Sequence, residues 1–241
     1  MWQMNGTNIA ASTNLPTLAL PWNTVGVGDF NDDGKTDLLW HNFETGDNTM
    51  WQMNGGTITA AANLPGLSTA WNAEVTADFN GDGKADILWH NSQTGDHTMW
   101  LMNGTTIAAA ADLPGLSQDW LLAAEGDYLG NGKKDLVWHN TATGANTMWL
   151  MDGATVTSAA DLPALDNNWR LSSQNDYNGD GKTDILLHNT ATGDNTMWLM
   201  NGATITAASN LPGLSQYWLP ITEGYHARLM NNVLYVISDL Y

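Results

Sequence analysis

The sequence predicts an all-β fold, a five-bladed β-propeller, from three observations. The chain of 241 residues repeats itself with a step of 49 residues. Each copy holds four short segments that are bounded by glycine, asparagine or proline and are typical of strands, and none has the period of a helix. Four antiparallel strands that recur about every 40 to 50 residues are typical of propeller blades.

The 13 tryptophans mark the repeat most clearly, because they fall into three series whose members are 49 residues apart. The first series is Trp2, Trp51, Trp100, Trp149 and Trp198, the second is Trp22, Trp71, Trp120, Trp169 and Trp218, and the third is Trp40, Trp89 and Trp138. Large aromatic side chains at one register of a propeller usually fill the space between blades. We expect the first series, which has methionine on both sides, to be the most buried.

The four strands of a copy are joined by an acidic loop, a turn and a tight hairpin. In the second copy the strands are the segments WNAEVTADF, DILWHN, TMWLMNG and TTIAAA. Asparagine-glycine between the last two predicts a type I′ hairpin, since both residues tolerate positive φ. A leucine-proline pair then breaks the chain before the next copy.

The two ends of the chain complement each other. The chain begins at the third strand of a copy, and its end predicts strands one and two at residues 218–224 and 233–238. Pairing the two ends within one blade closes the ring, whereas an open array leaves unpaired sheet edges. We therefore predict a single closed domain over residues 1–241. Its repeat units are 1–49, 50–98, 99–147, 148–196 and 197–241.

The chain is strongly acidic, with 25 acidic residues, 7 basic residues and a formal net charge of −18. This excess argues against nucleic acids and anionic membranes as partners, which need basic patches, and it favours cations. No segment is long and apolar enough for a membrane helix, and the N-terminal MWQMNGTNIA lacks the regions of a signal peptide. The absence of cysteine excludes disulfides and thiol chemistry.

A nine-residue acidic loop, D-x-N-x-D-G-x-x-D, joins strands one and two in three copies. Side-chain oxygens at positions 1, 3, 5 and 9 and the carbonyl of position 7 match the many oxygen ligands that Ca²⁺ takes, and glycine at position 6 permits the sharp turn. Mg²⁺ fits less well because it demands a tight octahedron and keeps its waters. The predicted ligands of three Ca²⁺ ions are Asp29, Asn31, Asp33, Lys35, Asp37, Asp78, Asn80, Asp82, Lys84, Asp86, Asp176, Asn178, Asp180, Lys182 and Asp184.

We number these loops by copy: loop one is 29–37, loop two 78–86, loop three 127–135 and loop four 176–184. Loop three is damaged, because Leu129 has no ligand oxygen and Asn131 replaces an aspartate. It therefore predicts weak binding or none, with Asp127, Asn131 and Asp135 as its remaining ligands. The interpretation without a metal is an Asx-rich turn, which the same residue types favour.

The segment DFNGDGKADILWHN and its copies resemble the FG-GAP/VCBS repeats of bacterial surface and secreted proteins and of the integrin α-subunit propeller. The resemblance covers four of the five units strongly and the fifth weakly. It implies a β-propeller, calcium in the acidic loops, and extracellular binding or adhesion. In architecture the sequence is also similar to fungal propeller lectins with calcium loops and to the five-bladed tachylectin family, which implies glycan binding.

Two residue series are candidates for binding a further ligand. The second tryptophan series begins strand one near a surface loop, where an indole can stack on a sugar ring or pack between blades. Histidine followed by asparagine ends strand two, where the pair can bind a polyol or satisfy a turn. We expect no metal at these histidines, because they lie a blade apart without local ligand partners. They are His41, His90, His139 and His188.

Together these features predict a monomeric, calcium-binding, non-enzymatic module, extracellular or on the cell surface, that binds glycans or surface proteins. One alternative is a calcium-stabilised structural or engineered scaffold without a further ligand. Another is a glycoside hydrolase with carboxylates near a central channel, for which Glu125 and Glu223 share a suitable strand-one register. A repetitive chain without a catalytic motif favours a binding protein over an enzyme.

Overall fold

The computed structural model describes residues 2–18, 20–213, 229–230 and 233–234 of the chain. In the described part, residues 22–211 form four consecutive four-stranded antiparallel sheets, which we call sheets one to four. Every element among the described residues is a strand or a turn, and none of them forms a helix that could cross a membrane. The predicted all-β architecture of four strands per copy is therefore confirmed for four copies.

The strands of each sheet pair in chain order. Sheet one holds β3 (Trp22–Gly28), β4 (Asp37–Asn42), β5 (Asn48–Asn54) and β6 (Thr57–Leu64). Sheet two holds β7 (Trp71–Ala77), β8 (Asp86–Asn91), β9 (His97–Asn103) and β10 (Thr106–Asp112). Sheet three holds β11 (Trp120–Gly126), β12 (Asp135–Asn140), β13 (Asn146–Asp152) and β14 (Thr155–Leu162). Sheet four holds β15 (Trp169–Asn175), β16 (Asp184–Asn189), β17 (Asn195–Asn201) and β18 (Thr204–Leu211).

The two ends of the chain contribute shorter pairs. At the N-terminus β1 (Trp2–Asn5) pairs with β2 (Asn8–Ser12), and near the C-terminus β19 (Leu229–Met230) pairs with β20 (Val233–Leu234). The predicted strand at 218–224 lies outside the described residues, as does most of the one at 233–238. Closure of the ring and the fifth blade therefore stay predictions.

The tight hairpin between the third and fourth strands is confirmed, but its type differs from the prediction. In sheet one Asn54 pairs with Thr57, so the two turn residues are Gly55 and Gly56. Gly55 has φ 58°, and Asn54 has no positive φ. One glycine of positive φ at the first central position matches a type II′ turn, in which asparagine only ends the strand.

The apolar core lies between neighbouring sheets. Phe30, Leu39 and Met50 from the first copy pack with Trp89 and Met102 of sheet two. Equivalent clusters join sheet two to sheet three and sheet three to sheet four. A tryptophan on strand two of the following sheet, Trp89 or Trp138, fills the gap at the first two junctions.

The first tryptophan series is buried, but it is not the most buried one, because Trp89 and Trp138 of the third series are 0% exposed. Its members in the four sheets are only 4–7% exposed, and they are Trp51, Trp100, Trp149 and Trp198. They lie on strand three beside methionines, of which all but Met197 are buried. Burying such indoles removes large apolar areas from water, which favours the packed sheets.

Two backbone hydrogen bonds, which we call the loop clasp, fasten each of loops one to three to the following sheet. In loop one the carbonyl of Asp29 accepts a bond from the N–H of Ala85 at 2.7 Å, and the carbonyl of Phe30 accepts one from Gly104 at 2.6 Å. In loop two the N–H of Lys134 bonds to the carbonyl of Asp78 at 3.0 Å, and that of Gly153 bonds to the carbonyl of Phe79 at 2.8 Å. In loop three the N–H groups of Thr183 and Gly202 bond to the carbonyls of Asp127 and Tyr128, both at 2.7 Å.

The aspartate at position 9 fastens each loop to its own sheet. Asp37 is fully buried, and its carboxylate oxygens accept bonds from the N–H groups of Phe30 at 3.2 Å and Met53 at 2.8 Å. A buried N–H group without an acceptor is costly, so this carboxylate stabilises both the loop and the end of strand three. The equivalent bonds in the other sheets are made by Asp86, Asp135 and Asp184.

Loop three allows this anchor to be tested without a strong metal site. Asp135→Ala removes the acceptor of the Tyr128 and Met151 N–H groups, and we expect it to lower the free energy of unfolding by roughly 2–6 kcal/mol, since each orphaned donor costs about 1–3 kcal/mol. Urea denaturation measures the loss. Asp135→Asn keeps one acceptor oxygen and should lose less. An Asp135→Ala variant as stable as the wild type would contradict the anchoring role.

Candidate functional site: acidic loops and a cavity between sheets

The first aspartate of each acidic loop folds the loop around its own carboxylate. In loop one Asp29 Oδ1 accepts the N–H of Asp33 at 3.1 Å, and Oδ2 accepts that of Gly34 at 2.6 Å. Gly34 has φ 75°, which confirms the sharp turn predicted at position 6. The same glycine bond is 2.9 Å in loop two, 2.7 Å in loop three and 2.8 Å in loop four.

The side chains at positions 3 and 5 face the same turn. In loop one Asn31 Oδ1 accepts the N–H of Asp33 at 3.2 Å, and Asp33 Oδ1 accepts the N–H of Lys35 at 2.9 Å. The ammonium of Lys35 lies 3.1 Å from Asp33 Oδ2. Loops two and four repeat this ion pair, at 3.3 Å for Lys84 with Asp82 and at 3.8 Å for Lys182 with Asp180. An exposed ion pair of this kind contributes little stability, so a divalent cation can replace the ammonium.

Loop three adopts the same fold with fewer oxygens. Asp127 accepts N–H bonds from Gly130, Asn131 and Gly132, and Asn131 Oδ1 accepts the N–H of Lys133 at 2.9 Å. Leu129 stands at position 3, where the other loops have asparagine, and it is 39% exposed. Hydrogen bonds from backbone N–H groups to the side chains of Asp127 and Asn131 therefore suffice for this loop conformation, and the conformation is no evidence for an ion.

The predicted position-9 ligands are the buried anchors described above, so they hold two N–H donors each before any ion binds. Each carboxylate oxygen has a second lone pair and can still face a cation. Burial raises the pKa of Asp86 and Asp135 to about 6, against the opposing effect of the N–H donors, and it also raises that of Asp37. A bound cation would favour the ionised form and lower these pKa values.

In loop four the pKa of the aspartate at the first position, Asp176, is shifted in the opposite direction. The N–H of Gly181 lowers the pKa of Asp176, against desolvation, and the N–H groups of Gly179 and Asp180 add to this effect. Asp176 is therefore ionised at neutral pH. The loop offers an exposed negative charge in a fixed place, which is what a cation site needs.

Three of the four histidines in the series are held by an asparagine seven residues further along the chain. His41 Nδ1 lies 2.8 Å from Asn48 Oδ1, and the pairs His139 with Asn146 and His188 with Asn195 have the same distance. The asparagine directly after His41, Asn42, accepts the N–H groups of Glu44 and Thr45 and so closes the turn. His41 and His188 are fully buried, whereas His90 and His139 are partly exposed.

The second tryptophan series is half-buried at the start of strand one. Trp71, Trp120 and Trp169 pack against the three inter-sheet clusters, and Trp22 borders a small cavity of about 170 Å³. Trp218 lies outside the described residues. Three of the indoles therefore pack between sheets, and only part of each ring is open to a ligand.

A larger cavity of about 310 Å³ lies between sheets three and four. Its lining includes Trp169 and Leu187, with His139, Asn146 and Arg170 as polar groups. Leu187 stands at the register of the third tryptophan series, so a smaller side chain occupies the place that an indole fills at the other two junctions. Comparison of the copies shows the exchange, but only the packed sheets show that it borders a cavity.

Of the two carboxylates in the hydrolase alternative, Glu125 lies within the described residues. Burial raises the pKa of Glu125, which lies on β11. Glu223 lies outside the described residues. A raised pKa suits a general acid but also follows from any half-buried carboxyl, so Glu125 alone does not distinguish an enzyme from a binding protein.

Comparison with known proteins identifies the repeats. The FG-GAP-like repeat family matches residues 29–89 and 78–138, which contain loops one to three. No curated protein matches the chain.

Solved structures share only a coarse likeness. The Vibrio cholerae biofilm matrix protein Bap1 is 17% identical, with a TM-score of 0.38, over 79% of this chain and 29% of that chain. Kluyveromyces lactis Hsv2, with its complete loop 6CD, is 11% identical, with a TM-score of 0.34, over 78% of this chain and 62% of that chain. The chain thus spans less than a third of the Bap1 chain.

The raised pKa of Asp135 predicts how stability depends on pH. Its pKa is about 6 in the folded chain and 3.8 when unperturbed, so between these values the folded chain holds a proton that the unfolded chain has released. The contribution of this carboxyl to the unfolding free energy therefore falls as pH rises through about 6. In chelator, the wild-type melting temperature should fall more between about pH 5 and about pH 7.5 than that of Asp135→Asn, which has no proton to lose. Equal slopes would contradict the raised pKa.

Proposed function

The chain carries FG-GAP-like repeats at residues 29–89 and 78–138, and on this premise we propose that it is a calcium-stabilised, non-enzymatic binding module. The supporting observation is that loops one, two and four each carry side-chain oxygens at positions 1, 3 and 5, whereas loop three has Leu129 at position 3. Loop one holds four aspartates in nine residues and loops two and four hold three each, and these carboxylates repel each other unless a cation neutralises them.

Calcium suits these loops better than the other common divalent cations. Its six to eight oxygen ligands at flexible distances match carboxylates, an amide oxygen and a backbone carbonyl on one short loop. Mg²⁺ would need a stricter octahedron, and Zn²⁺ prefers nitrogen and sulfur. Because the loop clasp uses the backbone of positions 1 and 2, an ion that orders the loop also supports the contact with the next sheet.

We extend the proposal to a closed ring of five blades. Tyr177 of loop four is 43% exposed and Leu211 of sheet four is 39% exposed, whereas their equivalents Tyr128 and Leu162 are 0% and 6% exposed. Tyr128 and Leu162 are covered by the sheet that follows them. A fifth sheet after sheet four would cover Tyr177 and Leu211 in the same way, and pairing of the chain ends would complete it.

An extracellular or cell-surface location follows from the same proposal. Calcium sites of extracellular modules bind at roughly 10⁻⁴ to 10⁻³ M, which is too weak for a cytosolic sensor. The short loops here, without the bidentate glutamate of an EF-hand, belong to that weaker class. The strongly negative surface, with a net charge of −18, also keeps such a protein away from nucleic acids.

A second candidate function, glycan binding, is favoured by the cavity between sheets three and four. Trp169 offers part of an indole face, and the lining also contains the polar side chains of His139, Asn146 and Arg170. Sugars are recognised by this combination of an aromatic face and polar groups in fixed directions. At about 310 Å³ the cavity is at the small end of ligand sites, which suits a terminal sugar.

Calcium should bind at three loops and stabilise the fold. At a hundred times the dissociation constant each ion adds about 2.7 kcal/mol if the unfolded chain does not bind, so thermal unfolding in millimolar calcium should occur well above that in chelator. Calorimetry should give three ions per chain. Asp33→Ala, Asp82→Ala and Asp180→Ala should each remove about one ion.

The damaged loop supplies the matched control. Asn131→Ala changes the equivalent position of loop three and should leave the ion count unchanged, because Leu129 already offers no oxygen. An unchanged melting temperature together with no calcium uptake would leave only Asx-rich turns and would defeat the proposal.

Filling the cavity tests glycan binding separately. Leu187→Trp restores the residue of the third tryptophan series and should raise the melting temperature, since it fills empty space between sheets. On a glycan array it should abolish binding, while His139→Ala should weaken binding without filling the cavity. Glycan binding that survives Leu187→Trp would place the site elsewhere. No binding by the wild type would favour the scaffold alternative, and glycoside turnover blocked by Glu125→Gln would favour the hydrolase.

A further inference from the structure

Sheet two departs from the repeat at two positions that come together in the fold. His97 stands where the other sheets have an asparagine, and Glu74 stands where they have a small or apolar residue. The corresponding residues are Asn48, Asn146 and Asn195 for His97, and Val25, Ala123 and Ser172 for Glu74. The expectation that the strand-two histidines lack local ligand partners is therefore wrong for His90, which has Glu74 and His97 beside it.

The strands bring these two residues to His90. His90 and His97 are directly opposite each other on β8 and β9, and their rings stack with centroids 4.7 Å apart. Glu74 occupies the β-bulge of β7, between Ala73 and Val75. A bulge turns a side chain away from the regular alternation of a strand. As a result, Glu74 Oε2 lies 3.2 Å from His97 Nε2, and one ligand atom of each residue lies within 4.8 Å of the others.

The cluster contains buried polar atoms that the protein leaves unsatisfied. His97 is only 1% exposed, and neither of its ring nitrogens makes a hydrogen bond, nor does Glu74 Oε2. Glu74 and His97 are within ion-pair distance, but the contact lacks hydrogen-bond geometry. Buried polar atoms almost always have a partner. The Nε2 atoms of all four strand-two histidines are also unpartnered. What distinguishes sheet two is that His97 and Glu74 add further unpartnered atoms beside His90.

We propose that Glu74, His90 and His97 bind one Zn²⁺ ion. Two imidazole nitrogens and one carboxylate oxygen are a ligand set that zinc takes in sites with an open fourth position. Calcium prefers oxygen ligands alone, so this site differs in kind from the acidic loops. In a zinc tetrahedron with bonds of about 2.1 Å the ligand atoms lie about 3.4 Å apart, close to the 3.2 Å between Glu74 Oε2 and His97 Nε2.

The surroundings suit a bound cation. Burial lowers the pKa of His90, against the attraction of Glu74, so its imidazole is neutral at physiological pH, which is the form that binds metals. The indole of Trp138 from sheet three meets the ring of His97 edge-on, with centroids 4.6 Å apart. The Glu74 side chain is 19% exposed, so the fourth position opens on that side to water or to a side chain of a partner. The ion would join β7, β8 and β9.

Zinc titration of the full chain tests this site. The protein is first saturated with Ca²⁺, so that the acidic loops are occupied, and is then titrated with Zn²⁺ by calorimetry. We expect one equivalent and a higher melting temperature. Loss of a residue that binds the ion directly should weaken zinc affinity by more than about 100-fold. Loss of a residue that only hydrogen-bonds to a ligand typically weakens it by about 10- to 100-fold. Co²⁺ in place of Zn²⁺ reports nitrogen ligands through its visible absorption.

The repeat supplies conservative variants. His97→Asn installs the residue found at this register in the other three sheets, and Glu74→Ala installs the residue of sheet three. Both should fold as the wild type does and lose the zinc equivalent. Because Glu74 lies on a partly exposed bulge, its variant stays decisive if the His97 variant is unstable. His139→Ala, which removes the matching histidine of sheet three, should leave zinc uptake unchanged.

Two outcomes overturn the proposal. A zinc equivalent that survives both His97→Asn and Glu74→Ala lies elsewhere, for example in the acidic loops. A wild-type protein that takes up no zinc in the presence of calcium carries only an ion pair between Glu74 and His97.

Discussion

Neighbouring sheets meet at their acidic ends through the carbonyl groups of the first two loop residues. The carboxylate of Asp29 accepts the N–H of Gly34 within loop one, and its carbonyl accepts the N–H of Ala85 just before sheet two resumes at Asp86. Phe30 donates its N–H to Asp37, bonds to Gly104 through its carbonyl and places its ring in the core beside Trp89. One pair of residues therefore couples the loop, its own sheet and the next sheet. A change in the loop therefore alters the contact between sheets, and the proposed cation would affect the whole fold through this contact.

The repeat explains how much of this fold the sequence could predict. Strand order, the acidic loops and the buried tryptophans recur in each copy, so independent signals agree. The hairpin type was wrong because asparagine and glycine both tolerate positive φ, and only the pairing of Asn54 with Thr57 decides between turns. The anchoring role of Asp37 could not be read from the loop, since its second donor is the N–H of Met53 on another strand.

The candidate sites beyond the loops lie where one copy departs from the others. Leu187 is visible in the sequence as a missing tryptophan, but its effect depends on the packing of sheet four against sheet three. Glu74 and His97 lie 23 positions apart on strands that are not adjacent in the sheet. The period-two alternation of a strand does not show which way a bulged residue points, so the spacing of Glu74 carries no signal.

Loop three shows what an ion can and cannot add to the other loops. Its hydrogen bonds match those of loops one, two and four although Leu129 offers no oxygen and Asn131 replaces an aspartate, so calcium is not needed for shape. The ion would instead act on charge, and charge is shared between loops, because the carboxylate of Asp32 lies against Gly83 of loop two. Loops one and two are both intact and adjoin, whereas loop three separates loop two from loop four. Repulsion in the metal-free chain is therefore concentrated at the junction of sheets one and two, and the proposed calcium would stabilise this junction most.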